Sequence, residues 1–347
     1  MIRLTLRQFR AESVIGLGLL TVLGVVLAVT GPHLANVNSA FQNACSNPAV
    51  LCTKAPNPVV STDLSLQGAL PFIVTIAPAL IGIFFGAPLV ARELEAGTFR
   101  LAWTQSVTRR RWLAVKLGLI GFASMAVAGL LTWMVDWWAS PLDAVNKNRF
   151  DPGAFGWHGV APIGYAAFAF ALGVTAGVLL RRTVPAMAVT LVGFVAARLA
   201  VQHWIRPNLA APLHESVPLS SSGLGVLSAS AATGTVASLA PPQVNVSNGW
   251  VLSTAVVDRS SHAMTTQAVV HACPTYGQIA NTNVLPSPAE MHSIHDACIT
   301  KLSEIFHTVV TYQPASRFWP FQWAEMGIFL AAALALCGIA YWWLRRQ

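Results

Sequence analysis

Residues 69–90 read ALPFIVTIAPALIGIFFGAPLV, an uncharged run as long as the roughly 20 mostly apolar residues a helix needs to cross about 30 Å of hydrocarbon. Within lipid, only a helix meets its backbone hydrogen bonds inside one isolated segment. Working outward from this run, five more segments have the same character. They lie at about Val14 to His33, Leu113 to Trp138, Val160 to Leu180, Pro185 to Trp204 and Trp323 to Leu344. The chain of 347 residues is 54% hydrophobic and 10% charged, against roughly 25% charged in soluble domains. Its apolar residues therefore face lipid and one another. The expected fold is an all-α membrane protein with six transmembrane helices. Residues 1–204 hold five of them, 205–322 form a large external insertion, and 323–347 hold the sixth and a tail.

The net charge of +8 does not point to nucleic acid, because the basic residues sit beside the ends of the apolar runs, where they set orientation. With the N-terminus inside, the inner side holds Arg3, Arg7, Arg10, Arg92, Arg100, Arg109, Arg110, Arg111, Lys116, Arg181, Arg182, Arg345 and Arg346 on short segments. The outer side holds Lys54, Lys147, Arg149, Arg206, Arg259, Lys301 and Arg317 on longer loops. This asymmetry predicts cytoplasmic termini and a cell-membrane location. Arg3, Arg7 and Arg10 precede a run too long for a signal core, with no small-residue cleavage site after it, so a cleavable signal peptide is not expected. The tryptophans gather near predicted span ends, where indole rings favour the headgroup layer.

The three outer loops run from about Leu34 to Gln67, Ala139 to Gly159 and Ile205 to Gln322. The third is expected to hold a small external domain. Ser287-Pro288-Ala289-Glu290 reads as a capping box with Pro at the first helical position. Met291, Ile294, Cys298, Leu302, Ile305 and Phe306 then mark one helix face. Four cysteines fall outside, and we pair them as Cys45 with Cys52 and Cys273 with Cys298. His271-Ala-Cys273 and His292-Ser-Ile-His295-Asp296-Ala-Cys298 offer metal-ligand types, but their spacing fits no zinc pattern, and no metal is assigned.

Between the second and third runs lies RELEAGTFRLAWTQSVTRRRW, residues 92–112, followed by Lys116. It is charged, amphipathic and short, with acidic residues early and arginines late. This segment resembles the first cytoplasmic loop of the type-2 ATP-binding-cassette (ABC) exporter permease family, whose pattern is Arg-Glu-x-Glu-x-Gly-Thr, apolar residues, a short turn, an Arg, and a Lys opening the next span. Arg92, Glu93, Glu95, Gly97, Thr98, Arg109 and Lys116 fall on those positions. Ser106 stands where the family usually has a Pro near the turn. The long insertion before the last span resembles actinobacterial-type members.

The resemblance implies a basic amphipathic entry helix, here about Ile2 to Glu12, and a cytoplasmic coupling helix over 92–112 seated in a groove of an ATPase. Glu93, Glu95 and Arg100 would orient that helix, and Leu101 and Trp103 would fill the groove. The chain has no Gly-x-x-x-x-Gly-Lys-Ser/Thr phosphate loop, so a separate ABC ATPase subunit, carrying ATP and Mg, is the implied partner. Two permease copies are expected to pair around an unknown small or amphipathic substrate. Gly173-x-x-x-Gly177 allows close helix approach, either within one chain or between copies. Arg198, Asp136 and Glu325 lie at similar depth near the outer ends of spans, where an ion pair among them is expected. The lead reading is an exporter subunit with no catalytic site of its own; the alternative is a membrane sensor or scaffold whose external domain binds a ligand or partner protein. An embedded hydrolase is disfavoured, because Ser124 has no His or Asp at an obvious facing position.

Overall fold

The structure is a computed structural model that describes residues 10–45, 58–95, 109–146, 148–219, 228–230, 235–238, 246, 249–275 and 287–346. It is mostly helical, with six helices long and apolar enough to span a membrane: Val14–Cys45, Leu64–Glu93, Ala114–Asn146, Ala161–Leu180, Thr183–Asn208 and Ala315–Trp343. Several outrun the expected spans. The first helix, Arg10–Cys45, and the third, Arg109–Asn146, continue well past the apolar core, so parts of the first and second expected outer loops are helical. Of the expected entry helix, residues 1–9 lie outside the described residues, and Arg10 to Glu12 run straight into the first span.

The described residues of 1–209 and 316–347 make one compact unit. Its hub is the fourth span, Ala161–Leu180, apolar on every side. A helix without a polar face belongs in an interior, and Tyr165, Ala166, Ala169, Phe170, Val174 and Val178 are all buried. The second span packs on it at backbone distance. Its helix, Leu64–Leu80, passes into a π-helical stretch, Ile81–Gly86, and then into Ala87–Glu95. A Cβ at Gly82 would stand 2.6 Å from the Ala169 carbonyl oxygen, one at Gly86 2.6 Å from that of Phe170, and one at Gly177 2.7 Å from that of Ala87. Gly173 faces the Gly82 carbonyl in the same seam. Glycines are needed here because the two backbones touch. Gly173 and Gly177 thus join two spans of one chain.

Residues 210–315 make the second unit. It contains strands that a purely helical expectation does not include: β1 (Leu213–Pro218), β2 (Ser228–Ser230), β3 (Thr235–Ser238), β4 (Trp250–Asp258) and β5 (Phe306–Gln313). β5 lies antiparallel between β1 and β4, and β2 pairs with β3. The helix Pro288–Ile305 starts at the Ser287/Glu290 capping box and stops one residue before Phe306, which opens β5. Its inner face places Ile294, Cys298, Ile299 and Leu302 against Leu219, Val269, Cys273 and Phe306.

Cys273 and Cys298 are joined by a disulfide across 25 residues of chain, which also consumes the two thiols a metal centre there would need. Cys45 is disulfide-bonded too; Cys52, its expected partner, lies outside the described residues. Closing the loop between Cys273 and Cys298, 25 residues apart, costs the unfolded chain about 3.5 kcal/mol of entropy. Replacing both Cys273 and Cys298 by serine is therefore expected to lower the stability of the insertion by about that amount. Thermal unfolding with and without reductant measures it, and an unchanged midpoint in both comparisons would contradict it.

Candidate functional site

The 92–112 segment enters the structure at its two flanks. Residues 96–108, with Gly97, Thr98, Arg100, Leu101 and Trp103, lie outside the described residues. On the near flank, the helix Ala87–Glu95 ends with Arg92 exposed and Glu93 half-buried. The Glu93 carboxylate pairs with Lys116 Nζ on the third span. Lys116 is only 4% exposed, and a buried ammonium without a counter-charge is costly, so the two residues require each other. Glu95 is exposed and reaches a different helix. Its carboxylate accepts from the Thr183 hydroxyl at 2.7 Å and the Thr183 amide at 3.1 Å.

Thr183 is the first residue of the helix Thr183–Ala200, whose own N-cap, Arg182, supplies no side-chain bond. Glu95 therefore caps it from outside, placing negative charge at the positive end of a helix dipole. The two Thr183 bonds hold the Glu95 carboxyl below the ordinary glutamate range. A lowered folded value means that the tether is fully present above the ordinary glutamate range and is lost only as pH falls on through the lowered, folded value. Both carboxylates, expected to orient the segment against another subunit, already have partners within the chain. Together they fasten the start of the segment to the third and fifth spans.

The opposite ends of the spans hold buried polar groups. Arg206 and Glu325 form a two-pronged ion pair at 2.8 and 2.9 Å, each side chain 1% exposed. The Tyr165 hydroxyl donates to Glu325 Oε1 at 2.5 Å, and the Arg206 guanidinium lies 4.3 Å from the Phe155 ring centroid. Asp136 pairs with His158: its Oδ1 is 2.6 Å from Nδ1, while its Oδ2 accepts from the Gly159 amide. Gly159 has φ +69°, a conformation glycine adopts at no cost. Gln322 completes the set. Fully buried, it accepts from the Val160 and Ala161 amides and donates to the Phe155 carbonyl.

The expected grouping of Arg198, Asp136 and Glu325 is corrected here. Arg198 pairs with neither carboxylate; it lies 4.0 Å over the Tyr165 ring and donates to the Gly156 carbonyl at 3.3 Å. The fifth span turns Arg198 toward the aromatic ring, and its π-helical continuation, Val201–Ile205, carries Arg206 to Glu325 instead. Sequence reading places Arg206 among the loop cations and leaves His158 unassigned. A lone Arg just after an apolar run looks the same in sequence whether it faces water or a buried carboxylate. For His158, the adjacent Gly159 and the Asp136 one loop away were the only hints.

Six apolar spans, the fourth of them buried among the others, with a polar connector anchored at its start between the second and third, define a multi-pass membrane protein. Residues 17–206 match the family described as ABC-2 membrane transporter related, and the chain belongs to that family. The family is related to ABC-2 transporter permeases, typically subunits without an ATPase domain. No curated protein and no solved structure matches the chain.

Proposed function

We propose that this protein is the membrane-spanning permease subunit of an ATP-driven exporter, paired with a separate ATPase and, through a second copy of itself, forming a twelve-span pore for a small or amphipathic molecule. Both termini and residues 92–112 lie in the cytoplasm in this reading. The observation that carries it is the double anchoring of the segment's start. Glu93 ties it to the third span through Lys116, and Glu95 ties it to the fifth through Thr183. A connector fastened to two spans passes on a push that a loose loop would absorb. An ATPase closing on ATP would supply that push through Leu101 and Trp103. Because Gly173 and Gly177 are occupied within the chain, contact between copies would use other surfaces.

Glu95→Lys puts a positive charge at a helix N-terminus and removes the external cap. Substrate-stimulated ATP turnover in the assembled complex is expected to fall to the rate of the ATPase alone, with the spans still folded. Wild-type stimulation in this variant would refute the role. The insertion has a core of its own, which is what a sensor would need; a chain that never associates with an ATPase would favour that second reading.

A further inference from the structure

A cavity of about 370 Å³ opens where the second span begins and the third ends, a size that suits a small organic ligand. Its apolar walls include Leu70, Val135 and Leu142, and Trp138 and Trp157 also line it. Both indoles are held: Trp138 Nε1 donates to Thr30 Oγ1 at 2.9 Å, and the Trp157 ring lies 3.6 Å from that of His158. Among its described lining residues the charged ones are Asp143 and Asp151, both acidic.

Asp143 is the informative one. Its side chain is 14% exposed, and among the described residues its cationic partners are Arg149 Nε at 3.3 Å and His158 Nε2 at 3.5 Å, within ion-pair range but without a hydrogen bond. Charge-assisted hydrogen bonds ordinarily measure about 2.7–2.9 Å. Arg149 Nε and His158 Nε2 are themselves buried without a hydrogen bond, and His158 is fully buried. Buried polar groups left unbonded call for an explanation. The set also holds Asp136, on the far nitrogen of His158. Among the described residues, Asp136 and Asp143 thus share one guanidinium and one imidazole, and Asp151, whose carboxylate accepts from the Gly153 amide, adds a further negative charge to the lining.

We propose that this cavity binds an organic cation with an apolar body. The charged head sits against Asp143 and Asp151, and the body rests on the half-buried Trp157 ring, whose quadrupole attracts cations. The site stands on this geometry alone; its role as a substrate station rests on the exporter reading.

The test uses the full chain in nanodiscs of zwitterionic lipid without any ATPase, with tetraphenylphosphonium as the probe and tetraphenylborate as its charge-inverted counterpart of the same shape. Binding is the tryptophan fluorescence change beyond that in empty nanodiscs. Saturable binding of the cation only is expected. Asp143→Asn should weaken it at least about tenfold, the loss of roughly one charge contact. Asp151→Asn, which keeps a capping side chain on the loop, should weaken it about threefold with the fold intact. Equal binding of the two ions, a response that never saturates, or unchanged affinity in both variants would overturn the proposal. Because no ATPase is present, such a failure leaves the exporter reading untouched, whereas loss of ATPase association would leave this site standing.

Discussion

Glu325→Ala is expected to destabilise the spans by about 3–5 kcal/mol, the usual cost of removing one partner from a buried ion pair. The physical reason is what remains behind. Arg206 would keep its charge at 1% exposure, beside the Phe155 ring and without the Glu325 carboxylate, and the Tyr165 hydroxyl would lose its acceptor. The triple replacement Glu325→Leu, Arg206→Met and Tyr165→Phe removes every member together. It should recover most of the loss, since a well-packed apolar substitute for a buried pair is often neutral. Thermal melting of purified protein in detergent reads both. A single variant no worse than the triple one would mean that water reaches these groups and that the pair is not buried.

The second large effect concerns the seam between the second and fourth spans. Gly173→Leu should prevent the spans from closing, because its Cβ would meet the carbonyl of Gly82 and the backbone of Ala87. Those atoms belong to main chain, which cannot rotate away, so the neighbouring helix must move; overpacking of this kind costs about 1–3 kcal/mol or more even where side chains can adjust. Gly18→Leu and Gly327→Leu sit in spans too, but nothing lies within 4 Å of a Cβ at either, and both should behave like the native protein. Monodisperse yield on size exclusion separates the three. A well-behaved Gly173→Leu protein would show that the two helices do not meet backbone to backbone.

These expectations show what could be read from the chain and what could not. The six spans were legible because bilayer thickness imposes a length and because charge is scarce inside it; 69–90 needs little else. Their ends were not, since Leu34–Cys45 and Ala139–Asn146 remain helical after hydrophobicity fades. The capping box at Ser287 and Glu290 was legible as local chemistry. The sheet was harder. Phe306 continues the helical spacing of Leu302 yet begins β5, and only the β-branched, alternating run at 306–313 and its partner at 250–258 signal strands.

The buried polar groups were least legible, because pairing depends on rotation about helix axes. Arg198 and Arg206 are eight residues, about two helical turns, apart, and the π-helical stretch at Val201–Ile205 decides which meets Glu325. Glu93 and Glu95 were singled out by resemblance, while their intramolecular partners, Lys116 and Thr183, emerge only once the third and fifth spans are placed beside the second.

The central claim, that residues 92–112 seat this protein on an ATPase, is tested most directly by a photo-crosslinking residue at Trp103 in membranes containing the ATPase subunit produced with it. The account predicts a covalent adduct with the ATPase from position 103 and none from position 319, at the far end of the spans. An adduct from 319, or none from 103 in a complex that still assembles, would contradict it.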